Sequence, residues 1–222
     1  MLNKLANVGL RGITLASKFA LLLVLAKYLE PSDVGLYGLI AVTVAYGMYP
    51  LGFEFYTYST REVIKAESAK KGQYLKSQMI LHVLLYVLVL PIFTLIFYYE
   101  YLPWYVAPWF FVLVLTEHAN QELMRMLIAI QKPVLATFVL FIRHGLWALL
   151  VALLFITKSE FRSLEIVLMA WSVSGLIAFL IAAQQTKFAI KYGWNLPVDW
   201  SWLRRGLKIA LPMFVGTMSL NF

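Results

Sequence analysis

Residues 114–130 read VLTEHANQELMRMLIAI, an apolar run interrupted by six strongly polar residues. The uncharged part before Glu117 begins at Tyr101, and its sixteen residues would rise only about 24 Å as a helix, too little to cross a membrane comfortably. At about 100° per residue, five of the six polar side chains fall within one arc of about 140°. These five are Glu117, His118, Gln121, Glu122 and Arg125, and Asn120 lies off the arc. We therefore predict one helix over roughly 104–131 with a polar inner face, and not a loop between two spans.

Composition places the chain among integral membrane proteins. Hydrophobic residues make up 62% of the sequence and charged residues only 14%, and the mean hydropathy is +0.77. Because about 20 apolar residues cross about 30 Å of hydrocarbon, three uncharged runs and two runs with isolated charges qualify as spans. They are residues 34–53, 77–99 and 166–186, and residues 5–26 and 133–157. Together with 104–131 they predict an all-α, polytopic transmembrane helix bundle of six spans and the start of a seventh.

The end of the chain has a different pattern. Residues 187–208 combine basic residues with Trp200, Trp202 and Leu203, as an amphipathic helix in a lipid headgroup layer does. Residues 209–222 are mostly apolar and stop after fourteen residues, which suggests a truncated span. We predict a first six-helix transmembrane bundle over 1–186, a cytoplasmic basic loop with an interfacial helix over 187–208, and the start of a second bundle over 209–222.

Lysine and arginine are unevenly divided between the two predicted sides of the membrane. The N-terminus and the second, fourth and sixth loops, with their adjoining span ends, carry 13 of these residues, and the alternate loops carry 3. Since basic loops stay in the cytoplasm, the N-terminus is predicted to be cytoplasmic. The net charge of +8 is then mainly a topological signal with membrane lipids as its partner, and nucleic-acid binding is not expected.

The sequence gives little indication of a metal site or of thiol chemistry. The chain has no cysteine, which excludes thiolate metal sites and cysteine nucleophiles within it. His82 and His144 have no companions at metal-ligand spacing, so we interpret them as helix-packing or interfacial residues. No cofactor and no metal site is predicted.

Residues 25–40 read LAKYLEPSDVGLYGLI and join the first two predicted helices. This segment resembles the first-loop signature of bacterial polysaccharide-repeat flippases of the Wzx type. The matching residues are Leu29, Pro31, Asp33, Gly35 and Tyr37, with Gly52, Glu54 and Arg61 at the end of the second helix and Pro212 in the seventh. The likeness covers the whole chain but only about the first half of such a flippase, which has two similar bundles.

That resemblance implies membership of the multidrug/oligosaccharidyl-lipid/polysaccharide exporter superfamily. The implied substrate is an oligosaccharide on undecaprenyl diphosphate, moved across the bacterial inner membrane by alternating access for the biosynthesis of surface polysaccharide such as the O-antigen of lipopolysaccharide. The missing C-terminal half of the same protein would be a partner of this chain. Because transport breaks no bond of the substrate, an enzyme is not expected.

Polar residues inside the predicted spans are the candidate substrate-binding residues. Arg11 and Lys18 share one polar stripe of the first helix, and Lys18 and Arg143 lie near mid-membrane depth. A charge at that depth costs about 2.5–3.5 kcal/mol on the mildest scale, so we expect these cations to line an interior cavity and attract a diphosphate. The predicted site comprises Arg11, Lys18, Glu117, Gln121 and Arg143.

Simpler roles compete with this interpretation. Each cation could snorkel to the headgroups, Arg11 most readily, and Glu117 could simply neutralise one of them across a helix interface. Glu122 and Arg125, three residues apart, are predicted to form an ion pair. Trp147, one turn from Arg143, could stack on a sugar or on the guanidinium, although a buried aromatic is the default.

Two other functions share parts of the pattern. A cation-coupled drug exporter of the same superfamily would have the same fold, but it is expected to carry acidic residues in its first bundle, where helix 1 has only basic ones. A membrane glycosyltransferase or polymerase would need acidic residues on its outer face, and Glu30 with Asp33 is the one candidate pair. A non-transporting remnant is the third alternative, because half of a two-bundle transporter does not alternate access alone.

Overall fold

The computed structural model describes residues 2–221, with side chains over 5–219, and this part of the chain is all-α without a β-strand. Its eight helices are α1 (Leu2–Tyr28), α2 (Pro31–Gly52), α3 (Tyr56–Lys65), α4 (Ser68–Tyr98), α5 (Ala107–Ala129), α6 (Pro133–Thr157), α7 (Leu164–Ala189) and α8 (Trp200–Asn221). The predicted all-α fold class is therefore confirmed.

Local sequence explains where several helices begin. Pro31 and Pro133 occupy the first position of α2 and α6, where the missing N–H costs no hydrogen bond. The Ser163 hydroxyl accepts a hydrogen bond from the Ile166 backbone N–H and so caps α7. Asp33 lies inside the first turn of α2, where its negative charge is favourable near the helix N-terminus.

Five helices are long and apolar enough to cross a membrane: α1, α2, α4, α6 and α7. They match five of the six predicted spans, and α6 has the predicted bounds of 133–157. Residues 114–129 indeed lie within one continuous helix, α5, of 23 residues. Its polar residues lower its hydropathy, however, and it is not among the five, so a sixth span stays a prediction.

Helix α5 is surrounded by other helices. It packs against α2, α3, α6 and α7, while α1 packs along α6. Its buried side chains include Phe110, Leu113 and Val114 in the main hydrophobic cluster, and Leu127 in a second cluster with α6 and α7. A central helix meets protein on most of its sides, which explains how α5 accommodates charged residues.

The chain between α2 and α4, and the end of the chain, form what we call the basic end of the bundle: α3, the first turns of α4, the linker 190–199 and the first turns of α8. Trp202 is fully buried there and stacks on Tyr74 at 4.7 Å between ring centroids, with Phe55 and Tyr58 also in contact. The interfacial helix and the start of the seventh span, predicted to part at residue 208, form one continuous helix, α8, which runs through Pro212.

The linker 190–199 is held to α4 by hydrogen bonds to its backbone carbonyl groups. The Lys76 ammonium donates to the carbonyls of Trp194, at 2.9 Å, and Leu196, and the Gly72 N–H donates to the Tyr192 carbonyl at 3.0 Å. Lys76 therefore has a structural role, in addition to being one of the basic residues on the predicted cytoplasmic side.

Candidate functional site

A cavity of about 420 Å³ lies between α1, α2, α5, α6 and α7. Its lining combines charged or polar side chains with aromatic and apolar ones. The polar members are Lys18, Glu117, Gln121, Arg125, Arg143 and His144, and the others are Tyr37, Ala41, Val44, Ala45, Met48, Met124, Leu140, Trp147 and Trp171. Four of the five predicted site residues, all but Arg11, therefore line one cavity.

Glu117 and Arg143 form a buried ion pair across the α5–α6 interface. The two side chains are 3% and 5% exposed, and the Arg143 Nε and Nη2 groups both donate to Glu117 Oε2, with Nε at 2.7 Å. The Trp171 Nε1–H donates to Oε1 of the same carboxylate at 2.8 Å. Both carboxylate oxygens thus have donors, which a buried charge requires. Glu117 neutralises a cation across a helix interface, as the simpler interpretation had it.

The pair uses only part of the donor capacity of Arg143. A guanidinium carries five N–H groups, and two of them bond to Glu117, so three have no acceptor among the described residues. Because Arg143 also lines the cavity, these groups are the ones available to a bound anion. Neutralisation by Glu117 reduces the charge of Arg143 without removing it as a hydrogen-bond donor.

Arg143 lies in an irregular part of α6. Residues Ile142–Leu146 form a π-helical turn, a feature often found at functional sites. Carbonyls that lose their α-helical partner in such a turn need other donors. The Ser174 hydroxyl donates to the Ile142 carbonyl at 2.5 Å, and the Trp147 indole N–H donates to the Arg143 carbonyl at 2.9 Å.

Lys18 differs from Arg143 in its surroundings. It is exposed on α1, lines the cavity, and makes no hydrogen bond or ion pair with any described residue. It lies ten residues from the end of α1 at Tyr28, a rise of about 15 Å, or half of the hydrocarbon thickness. Arg11, one of the five predicted site residues, is exposed and lies outside the cavity lining.

The cavity is therefore less cationic than the sequence suggested. Glu117 offsets Arg143, and Glu122 offsets Arg125 through a contact of 2.6 Å, which confirms the predicted α5 ion pair. Among the charged side chains described around the cavity, Lys18 alone has no counter-charge in contact. Of the three cations expected to line a cavity, Lys18 and Arg143 do so and Arg11 does not, and Arg143 is neutralised by Glu117.

Three aromatic lining residues lie outside the predicted set of site residues, although Trp147 was considered as a ring that could stack on a sugar. Trp147 and Trp171 stack with 5.8 Å between ring centroids and 8° between planes, and Tyr37 contacts Trp171 at 6.1 Å. Trp147 thus stacks on an indole and not on the Arg143 guanidinium. One sequence signal existed for Trp171: it lies within an uncharged span, whereas tryptophan is enriched at the membrane interfaces.

A second polar cluster lies beside the cavity, between α3, α4 and α5. Glu122 accepts a hydrogen bond from Gln78 at 2.8 Å, and the Arg125 guanidinium lies 3.4 Å from the centroid of the Tyr56 ring. His82 packs edge-on against His118 at 4.8 Å, which confirms its helix-packing role. His144, by contrast, lies 3.7 Å from Glu117 and lines the cavity.

Among the described residues, no three histidine, cysteine or acidic side chains come close enough together to hold a metal ion. Comparison of the chain with protein-family models, curated proteins and solved structures gives no match. Function is therefore inferred from the cavity and from the resemblance of the 25–40 segment.

Proposed function

We propose that this chain is the first helical bundle of a flippase for lipid-linked oligosaccharides, not an enzyme, and that its cavity binds the diphosphate of undecaprenyl diphosphate. One observation supports this most directly: Lys18 and Arg143, from different helices, line the same cavity and both have free donor groups. An anion with several oxygens accepts from both.

The remaining lining supports a sugar-bearing ligand. The faces of aromatic rings give apolar contact to the C–H faces of sugars, and Tyr37, Trp147 and Trp171 supply such rings. Gln121, half-buried on α5, adds an amide that both donates and accepts. A volume of about 420 Å³ accommodates a diphosphate and its first sugar, while the prenyl chain stays in the lipid.

The drug-exporter alternative has weaker support. Its coupling cation would need a free carboxylate, and Glu117, the one described carboxylate that lines the cavity, accepts hydrogen bonds from Arg143 and Trp171. The glycosyltransferase alternative has none from the cavity, since neither Glu30 nor Asp33 lines it.

Binding of undecaprenyl diphosphate to the purified chain in detergent tests the proposal. We expect Lys18→Gln to weaken binding about 10- to 100-fold, because a hydrogen bond to a charged group contributes about 1.5–3 kcal/mol. Lys18→Arg should keep more affinity than Lys18→Gln, since it keeps the charge. Lys27→Gln removes the same charge from the same helix outside the cavity lining and should leave binding unchanged.

Two results would contradict the proposal. Unchanged affinity in Lys18→Gln would show that the cavity cation does not meet the ligand. Equal competition by undecaprenol, which has no phosphate, would show that the chain recognises only the prenyl tail.

The proposed location is the bacterial inner membrane, with the N-terminus in the cytoplasm and α5 as a further span. Because the chain has no cysteine, single cysteines at Ser68 and Pro103 are unique labels. Position 68 should react with an impermeant maleimide only from the cytoplasmic side, and position 103 only from the opposite side. Labelling of both positions from one side would contradict this topology.

A further inference from the structure

A second, smaller cavity of about 190 Å³ lies at the basic end, between α3 and α8. The α3 wall is largely polar, and the α8 wall is apolar. The lining consists of Thr57, Tyr58, Arg61, Glu62 and Lys65 from α3, and Ile209 and Met213 from α8. It shares no residue with the large cavity and plays no part in the proposed transport.

The α3 wall offers two cations to a ligand. Arg61 and Lys65 are four residues apart, so their side chains lie on the same face of the helix. Both are exposed, and neither forms an ion pair with a described residue. Glu62 is the one acidic residue in the lining, which leaves a net positive charge.

The α8 wall offers apolar surface at the same opening. Ile209 and Met213 are 51% and 44% exposed and, four residues apart, also share a face. An apolar wall adds no favourable contact for a small soluble anion. It does add contact for the apolar tail of an amphiphile that has a charged head. The two walls therefore select for a ligand that is anionic at one end and apolar at the other.

The two walls are held in place by packing that does not involve the cavity cations. Trp202 fixes α8 to Phe55, Tyr58 and Tyr74, and the Thr57 hydroxyl approaches the Met213 sulfur at 3.3 Å. The cavity is therefore formed before any ligand arrives, which lowers the entropic cost of binding.

Its position matches the headgroup layer of a membrane. Helix α2, one of the five apolar helices, ends at Gly52, and α3 begins four residues later, at Tyr56. Trp200 at the start of α8 is 59% exposed, as tryptophans at a membrane interface are. Since a water occupies about 30 Å³ in the liquid, the cavity has the volume of about six waters, enough for a phosphoglycerol headgroup but not for acyl chains.

We propose that this cavity is a binding site for an anionic phospholipid, with Arg61 and Lys65 on the phosphate and the acyl chains lying along Ile209 and Met213. The ligand joins α3 to α8, so it stabilises the attachment of α8 to the bundle. It is distinct from the carrier lipid of the proposed function, because its site lies at the end of the helices and not between their mid-points.

Native mass spectrometry of the purified chain, released from micelles with equal amounts of phosphatidylglycerol and phosphatidylcholine, tests this site. We expect wild type to retain phosphatidylglycerol preferentially. The Arg61→Gln/Lys65→Gln variant should lose that preference about 10- to 30-fold, since each basic residue near the surface contributes about fivefold. Lys70→Gln/Lys71→Gln removes the same charge from α4 outside the cavity and should retain it.

Further arms separate the sources of phosphate. Ile209→Ser should weaken phosphatidylglycerol retention while both cations remain, and glycerol 3-phosphate should not displace the lipid. Displacement by glycerol 3-phosphate would identify a site for soluble phosphates and overturn the proposal. Equal losses in the two double variants would show general surface attraction and overturn it as well. The outcome does not depend on Lys18, so it is independent of the proposed function.

Discussion

The large cavity and the basic end both carry positive charge, but they hold it in different ways. In the cavity, Arg143 is buried and fixed to Glu117, whereas Arg61 and Lys65 at the basic end are exposed without a partner among the described residues. A buried charge without a counter-charge costs several kcal/mol, while an exposed one costs almost nothing. Arg143 therefore has a structural partner in addition to its proposed ligand, whereas Arg61 and Lys65 have no ion-pair partner among the described residues.

The largest expected effect is the loss of the buried pair. Arg143→Ala should destabilise the chain by about 3–5 kcal/mol, because it leaves Glu117 buried without a counter-charge. A charge at mid-membrane depth is costly to insert, but removal of this one leaves the Glu117 carboxylate without its counter-charge. Reversible unfolding in mixed detergent and SDS measures the change in the free energy of unfolding.

The double variant Glu117→Gln/Arg143→Gln removes both charges and should be far less damaging than Arg143→Ala. Lys70→Gln, at the exposed start of α4, should change stability by less than about 0.5 kcal/mol. If the effects of the single variants Glu117→Gln and Arg143→Gln added up to that of the double variant, the charges would not be coupled and the contrast between the regions would be lost.

A smaller effect is expected where the linker 190–199 meets α4. A Cβ at Gly72 would collide with the backbone carbonyl oxygen of Tyr192, so Gly72→Ala should cost about 1–3 kcal/mol by overpacking. At Gly38 in α2 nothing lies within 4 Å of such an atom, and Gly38→Ala should be neutral or slightly stabilising. Faster proteolysis within 190–199 in Gly72→Ala alone would show that the linker has loosened. Equal behaviour of the two variants would contradict the close contact.

The smallest effect concerns Asp199, which caps α8 at the basic end. Its carboxylate accepts hydrogen bonds from the Ser201 hydroxyl at 2.7 Å and the Trp202 N–H at 2.9 Å. Partial burial raises the pKa of Asp199, but these hydrogen bonds and nearby Arg205 outweigh it and hold the pKa below its usual value. We expect Asp199→Ala to cost about 0.5–2 kcal/mol of unfolding free energy at neutral pH.

The pH dependence follows from the lowered pKa. Stability from the ionised Asp199 is fully present above the ordinary aspartate pKa of about 3.9, and it is lost as the pH falls through the lower folded-state value. Asp199→Asn keeps a capping acceptor that does not titrate, so it should flatten this acid-side loss in thermal unfolding. If the loss of thermal stability at acid pH were the same in Asp199→Asn as in wild type, other carboxylates would be responsible for it.

Sequence patterns that extend over many residues made most of the helices predictable. The uncharged runs located α2, α4 and α7, and the one-sided spacing of Glu117, Gln121 and Arg125 identified α5 as a helix in spite of its charges. Helix α3 was not predicted, because ten residues between two spans leave too short a pattern. The continuity of α8 was missed because the composition changes after residue 208 from basic and aromatic to apolar, yet one helix continues through that point and through Pro212.

The site was predictable only as a set of residues. Depth along each span brought Lys18 and Arg143 together, and the polar face of α5 added Glu117 and Gln121. Which cation Glu117 neutralises depends on distances between helices, and those are set by packing such as that of Gly145, where a Cβ would meet Phe141 and Thr14. Contacts between helices produce no periodic pattern in the sequence. The pairing of Glu117 with Arg143 and its hydrogen bond from Trp171 therefore could not be predicted from the sequence.

The π-helical turn of α6 has a consequence for insertions and deletions. A π turn holds about one residue more than an α turn, so Ile142–Leu146 is equivalent to an α-helix with one residue inserted. Deleting one residue there would restore regular α-helix and keep the segments before and after it in register with α1 and α7. The helix would lose its irregular turn and, with it, the placement of Arg143 opposite Glu117. A single-codon deletion in this turn should therefore preserve the packing of the bundle but disrupt the cavity.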